Sequence, residues 1–187
     1  MPLVGVLALQ GGFEAHGRVL TALGAEVREV RTVAGLDGLD GLVIPGGESS
    51  TMTLGIEREK LREPLRELIE TRGVPVLGSC AGLIMLDSEH LGLMDMRARR
   101  NAFGRQLRSF ETDLDVRGLE GGTLRAVFIR APWIAEHGAE VEILAEVDGH
   151  PVAARQDGML AVAFHSELTD DDRIHRLFLD AVAARAD

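Results

Sequence analysis

The single cysteine of the chain stands in the pattern with the most specific chemistry, Gly78-Ser79-Cys80-Ala81-Gly82. This G-x-C-x-G spacing between an apolar run and a helical pattern is typical of a nucleophile elbow with sulfur in place of oxygen. Flanking glycines let strand and helix backbones approach closely, and the helix N-terminus behind the thiol favours the thiolate. A buried cysteine in a tight turn fits the same residues, so the pattern alone leaves both interpretations open.

A reactive thiol needs a base, and one histidine is placed to supply it. His165 directly follows the apolar run 159–164, and ligand chemistry collects at the carboxyl ends of strands in open α/β sheets. Glu167 lies two residues further, and positions i and i+2 of an extended chain face the same side. We therefore expect a Cys-His-Glu triad of Cys80, His165 and Glu167. The other histidines are interpreted as surface or structural ones: His16, His90, His137, His150 and His175.

A glycine-rich turn, Pro45-Gly46-Gly47-Glu48-Ser49-Ser50-Thr51, is a second candidate element of the site. Paired glycines allow backbone N–H groups to face a ligand, which suits an oxyanion hole beside the nucleophile. A Pro-Gly turn followed by a serine that caps a helix explains the same residues, and both can hold at once. The turn is not a nucleotide-binding Walker loop, because no Gly-Lys-Ser/Thr follows.

The elements that must position these residues alternate between strands and helices in the first half. Strands are predicted at 3–9, 27–30, 41–44 and 74–77, and helices at 13–23, 59–71 and 83–86. The second half adds strands at 110–116, 123–129, 141–147, 151–155 and 160–164, then a helix that opens at Thr169 with Asp172 in a capping box. We predict one domain over residues 1–187. Its fold is a three-layer, flavodoxin-like α/β arrangement with a mainly parallel central sheet and an antiparallel extension.

Composition and charge narrow the function classes. A net charge of −10 repels phosphate backbones and acidic membrane surfaces, so nucleic acid and membrane are not expected partners. The start of the chain lacks the basic segment of a signal peptide, and no apolar run approaches the roughly 18 residues of a membrane span, so we expect a cytoplasmic location. One cysteine rules out an intrachain disulfide and a cysteine-rich zinc site.

Six segments together make the chain resemble the class I (triad-type) glutamine amidotransferases, and within them the glutaminase subunits of pyridoxal 5′-phosphate synthases. The elbow and the His-x-Glu pair mark the wider family. Residues 100–106 (RNAFGRQ) and 127–132 (VFIRAP) select the narrower group, and further matches lie at 5–11, 45–49, 78–84 and 164–168. Ser166 departs from the family pattern, which has proline there, and this change has the potential to loosen the geometry between His165 and Glu167.

The resemblance implies a function and a set of residues. Cys80 is expected as nucleophile, with His165 and Glu167 completing the relay and the N–H groups of Gly47 and Ala81 forming the oxyanion hole. It implies that L-glutamine binds against Gly47, Glu48, Ser49, Arg100, Ile129 and Arg130. No metal or cofactor is required, and the ammonia is expected to pass to a separate synthase (lyase) subunit in a hetero-oligomeric complex.

Two kinds of alternative remain open from the sequence. One is a glutaminase that serves another acceptor pathway or a hydrolase with a similar elbow. The other is a catalytically silent regulatory subunit on the same fold. Labelling of Cys80 by iodoacetamide at neutral pH separates a reactive thiol from a silent structural cysteine, which reacts slowly or not at all.

Overall fold

The computed structural model describes residues 1–103 and 109–186. In chain order the strands are β1 (Leu3–Leu7), β2 (Glu26–Val30), β3 (Gly41–Ile44), β4 (Val76–Ser79), β5 (Met96–Arg99), β6 (Ser109–Leu114), β7 (Leu124–Ile129), β8 (Trp133–His137), β9 (Glu142–Val147), β10 (His150–Gln156) and β11 (Met159–Val162). The helices are α1 (Phe13–Ala22), α2 (Ser49–Arg58), α3 (Arg62–Arg66, continued by a wider π-helical turn over Glu67–Thr71), α4 (Ala81–Leu86) and α5 (Arg173–Ala186).

A seven-stranded central sheet organises the molecule, in the order β2-β1-β3-β4-β11-β10-β9. The first five of these strands are parallel to their neighbours, and β10 and β9 extend the sheet in antiparallel fashion. Two further pairs, β5 with β8 and β6 with β7, form small antiparallel ribbons. The predicted α/β class, with a mainly parallel sheet and an antiparallel extension, is confirmed.

The central strands are covered on both faces. Every residue of β3, β4 and β11 is buried. Side chains alternate between the two faces of a strand, so burial of the whole strand requires packing layers on either side of the sheet. This is why these strands are near-continuous apolar runs in the sequence, and it accounts for the predicted three-layer arrangement.

Two predicted helix starts are wrong. The last helix begins at Arg173 rather than at Thr169, and its first turn is held by the Asp171 carboxylate, which accepts a hydrogen bond from the Arg173 N–H at 3.2 Å. Helix α3 begins at Arg62, three residues later than expected, because Leu61 closes the turn that follows α2 by donating its N–H to the Ile56 carbonyl. In both places the predicted start lies in a turn that precedes the helix.

Close backbone contact between β3, β4 and α4 fixes the turn on which Cys80 lies. A Cβ atom added at Gly82 would overlap the Ile44 carbonyl oxygen, and one at Gly78 would lie 2.7 Å from the Gly82 carbonyl oxygen. Only glycine permits this approach of helix to sheet. The glycines on both sides of Cys80 are therefore required by packing.

We expect Gly82→Ala to lower the free energy of unfolding by about 3 kcal/mol, because the added methyl group must displace strand β3 or helix α4. Gly17→Ala is the matched control on helix α1, where the new Cβ would sit at an ordinary 3.6 Å from Val27. Helix propensity there favours alanine by roughly 0.5–1 kcal/mol. Urea unfolding of both variants tests the packing, and an unchanged midpoint for Gly82→Ala would contradict it.

Candidate active site

Cys80 occupies a strained turn between β4 and α4. Its φ is +51°, a left-handed region that residues other than glycine rarely adopt, and such strain is typical of functional turns. The Cys80 N–H donates to the Val162 carbonyl at 2.8 Å, which ties the turn to the end of β11. The residue is 6% exposed, and its Sγ lies 4.0 Å from the Ile129 carbonyl oxygen. The thiol is thus held at the carboxyl edge of the parallel sheet.

His165 reaches the same point from the neighbouring strand. It lies just beyond β11, and its N–H donates to the Val127 carbonyl of β7 at 2.8 Å. A Cβ atom built on the buried Gly46 would lie 2.7 Å from Cε1 of His165 and 3.2 Å from Cβ of Cys80. The imidazole and the cysteine side chain therefore flank the same glycine, and any side chain at position 46 would push against both.

Glu167 is the direct partner of His165. Its Oε1 lies 2.7 Å from Nδ1 of His165, and its side chain is only 2% exposed. The sequence predicts this contact because residues i and i+2 of an extended chain face the same side. That reason is wrong, because residues 166–168 form a short 3₁₀ turn. Ser166 at the usual proline position leaves this contact intact. The predicted neighbours are brought together, but by a helical turn.

The charges of this pair reinforce one another. Burial lowers the pKa of His165, but hydrogen bonds to Cys80 and Glu167 outweigh it and raise that pKa to about 10. Burial raises the pKa of Glu167, yet the hydrogen bond with His165 and the nearby imidazoles bring it below its usual value. At neutral pH the pair is therefore an imidazolium and a carboxylate, with the His165 proton available to a leaving group.

A cavity of about 250 Å³ opens in front of Cys80 and His165. Every predicted substrate-binding and oxyanion residue lines it, whereas Glu167 lies behind His165. The lining also includes residues to which the sequence assigned no role. The full set is Gln10, Gly47, Glu48, Ser49, Cys80, Ala81, Ile84, Arg100, Asn101, Ile129, Arg130, Pro132 and His165.

Glu48 has a structural task beside its predicted one. Its carboxylate accepts hydrogen bonds from the N–H groups of Ser50 and Thr51 at 3.2 and 2.7 Å, so Glu48, rather than a serine, caps helix α2. These bonds, with that of the Thr51 backbone the strongest, lower the pKa of Glu48 to about 2. The same carboxylate contacts Arg100 at 3.0 Å, which aims the guanidinium into the cavity wall. Arg100 also donates to Ser50 Oγ at 3.1 Å.

The glycine-rich turn is anchored to the loop after β1. The Gly46 carbonyl accepts the Gly12 N–H at 3.0 Å, and the Glu48 N–H donates to Gln10 Oε1 at 2.7 Å. Gly47 has φ +155°, and a Cβ there would collide with the Gln10 amide. The turn therefore requires glycine at position 47. Gln10 lines the cavity, although the sequence analysis assigned it no role; its place in the matching segment 5–11 was the one indication.

Part of the matching segment 100–106 lies outside the described residues, namely Gly104, Arg105 and Gln106. Within the described part of the chain, no group of three or more His, Cys, Asp or Glu residues is arranged to hold a metal ion. Nor is any helix there long and apolar enough to cross a membrane.

Comparison with known proteins gives concordant matches. The sequence profile of the SNO glutamine amidotransferase family matches residues 6–184. The chain is 53% identical to pyridoxal 5′-phosphate synthase subunit PdxT from Frankia alni, over 97% of this chain and 95% of that relative. It is also 53% identical to the subunit of the same name from Mycobacteroides abscessus, over 98% of each chain. A crystal structure of a glutamine amidotransferase superposes with a TM-score of 0.90 at 43% identity, covering 96% of this chain and 98% of the other.

The raised pKa of His165 depends on its neighbour, so we expect Cys80→Ala to lower it. Removing the thiol deletes one of the two side chains that favour the imidazolium and leaves burial unchanged. In the unaltered chain, the imidazole resonances of His165 should titrate near pH 10, and in Cys80→Ala at clearly lower pH. The measurement is an NMR titration with His165→Asn to assign the signals. Equal midpoints in the two chains would show that the imidazole and the thiol are not coupled.

Proposed function

This chain belongs to the SNO glutamine amidotransferase family, and we propose that it hydrolyses L-glutamine to L-glutamate and ammonia with Cys80 as nucleophile. One observation carries the proposal: His165, bonded to the buried carboxylate of Glu167, shares with Cys80 the space around Gly46 beside the cavity. A thiol, a base beside it and a carboxylate that orients the base are the catalytic groups that acyl transfer requires.

The reaction proceeds through a thioester. His165 holds the proton of the Cys80 thiol, and the thiolate attacks the carbonyl carbon of the glutamine side-chain amide. The N–H groups of Gly47 and Ala81 stabilise the negative charge on the carbonyl oxygen. The intermediate collapses as His165 gives its proton to the departing nitrogen, which leaves as ammonia. Water, deprotonated by His165, then attacks the thioester, and glutamate and the thiol are released.

Substrate recognition rests on the cavity wall. Arg100 carries a planar cationic fork that suits the α-carboxylate of glutamine, and its contact with Glu48 keeps the fork in place before substrate binds. Carbonyl oxygens and N–H groups of the turns supply further contacts. The residues proposed to bind glutamine are Gly47, Glu48, Ser49, Arg100, Ile129 and Arg130, all on the cavity lining.

The acceptor of the ammonia is a separate subunit in this proposal. Relatives that match over nearly their whole length are named as subunits of pyridoxal 5′-phosphate synthase, and none of the described chemistry in this cavity consumes ammonia. The proposed role is therefore the glutaminase subunit of a complex that makes pyridoxal 5′-phosphate. We propose that the chain acts in the cytoplasm.

We expect Cys80→Ala and His165→Asn to reduce ammonia release from glutamine by on the order of 10⁴-fold or more, because each removes a group that forms or breaks bonds. Glu167→Gln retains more activity than either, since it removes only the orienting charge. Arg100→Ala raises the KM for glutamine through lost carboxylate binding. Ammonia release is measured with and without a synthase subunit.

The matched control is His137→Asn, an exposed histidine at the end of β8 and outside the cavity lining, which should leave the rate unchanged. Ammonia release by Cys80→Ala within a few-fold of the unaltered chain would end the nucleophile assignment. An unaltered chain that releases no ammonia even with its synthase bound would instead identify a silent regulatory subunit.

A further inference from the structure

Two buried histidines stand behind the proposed triad, on helices at opposite ends of the sequence. His16 of α1 and His175 of α5 are both 0% exposed, and Nδ1 of His16 lies 2.9 Å from Nε2 of His175. Nε2 of His16 lies 3.3 Å from Oε2 of Glu167, the carboxylate oxygen that His165 does not use. Glu167 thus lies between His165 on one side and the His16–His175 pair on the other.

The hydrogen-bonding capacity of these groups fixes their tautomers. An ionised carboxylate only accepts, so Nε2 of His16 must carry the hydrogen that faces Glu167. Nδ1 of His16 is then an acceptor, and His175 donates to it from Nε2. Neither Nδ1 of His175 nor Nε2 of His16 has a hydrogen-bond partner among residues 1–103 and 109–186. The 3.3 Å approach of Nε2 of His16 to Glu167 is therefore an electrostatic contact rather than an aligned hydrogen bond. In this arrangement the His16 imidazole presents its N–H side, and not a lone pair, to the Glu167 carboxylate.

Both imidazoles are neutral at physiological pH. Burial lowers the pKa of His16, and burial together with His16 lowers the pKa of His175 to about 3, against the opposing influence of Glu167 and Asp172. His165, which interacts with Cys80 in turn, is a further titratable group that faces this network. Ser79 places its hydroxyl 3.4 Å from Oε2 of Glu167. A neutral donor can stabilise the carboxylate without cancelling the charge that Glu167 presents to His165.

We propose that His16 and His175 are positioning residues for the reaction: His175 fixes the tautomer of His16, and His16 keeps Glu167 ionised and aimed at His165. The inference rests on the proposed Cys80–His165–Glu167 function and extends it by two residues that touch neither substrate nor thiol. Without the His16 N–H, Oε2 of Glu167 keeps the 3.4 Å contact with the Ser79 hydroxyl, which also bonds the Phe164 carbonyl. The loss favours the protonated form of Glu167 and weakens the His165 imidazolium.

The test uses the one thiol of the chain as its own reporter. The rate of Cys80 alkylation by iodoacetamide is measured against pH in the full chain and in two variants. His16→Leu fills the volume without an N–H group. The midpoint of its profile should move to higher pH by about one unit, the scale of one lost polar contact with a buried charge. His16→Gln keeps an N–H donor near the position of Nε2 and should restore at least half of that shift.

The surface variant His137→Leu is the matched control for a lost imidazole and should not move the profile. A His16→Leu profile that coincides with that of the unaltered chain overturns the proposal, as does a shift that His16→Gln leaves fully in place. If His16→Leu does not fold, ¹⁵N imidazole spectra of the unaltered chain decide the matter. They must show His16 and His175 neutral and protonated at Nε2 between pH 6 and 8, and any other state contradicts the proposal.

These readouts need no glutamine turnover, so the two proposals fail separately. If His16→Leu shifts the alkylation profile but the unaltered chain releases no ammonia from glutamine with its synthase, the proposed function is contradicted and the positioning network is supported. If the unaltered chain releases ammonia but His16→Leu has the same alkylation profile as the unaltered chain, the proposed function stands and the positioning network is contradicted.

Discussion

Burying a carboxylate costs several kcal/mol unless donors and positive charge surround it, and Glu167 is buried at the inner end of the cleft with 2% of its side chain exposed. The groups around it are His165 at 2.7 Å, His16 at 3.3 Å and the Ser79 hydroxyl at 3.4 Å. They come from segments far apart in the sequence, so the charge of Glu167 can be accommodated only when the whole domain is assembled. The imidazole of His165 therefore links the ionisation of Glu167 to the reactivity of the Cys80 thiol.

The parallel sheet explains why these segments meet. Strands β4 and β11 are neighbours and run in the same direction, so the residues that follow them, Cys80 and His165, emerge at the same edge. The glycines around Cys80 allow helix α4 to pack against the sheet closely enough to hold the strained turn. Glu48 lies in another part of the cavity wall. Its carboxylate caps helix α2 and also contacts Arg100. Packing constraints and site geometry are thus met by the same residues.

Much of this was accessible from the sequence, because strand periodicity and the carboxyl-edge rule depend only on local pattern. They predict from the sequence alone that Cys80 and His165 lie at the same edge of the sheet. The contact of His165 with Glu167 was expected for the wrong reason, since a short 3₁₀ turn replaces extended chain. The roles of His16 and His175 could not be read from the sequence. The sequence leaves each as a surface or structural histidine on an amphipathic helix. Their contact depends on how two helices pack whose histidines are 159 positions apart in the sequence. The Glu48 cap was missed because serine is the commoner capping residue.

The central claim is that Cys80 attacks glutamine, and a diazo ketone analogue of glutamine tests it most directly. Such a reagent occupies the substrate site and alkylates the nucleophile. The account predicts that the chain, assembled with its synthase, is inactivated by one equivalent, that glutamine protects it, and that peptide mass mapping finds the label on Cys80. Full inactivation with the label on another residue, or continued ammonia release from a chain in which Cys80 is completely alkylated, would contradict it.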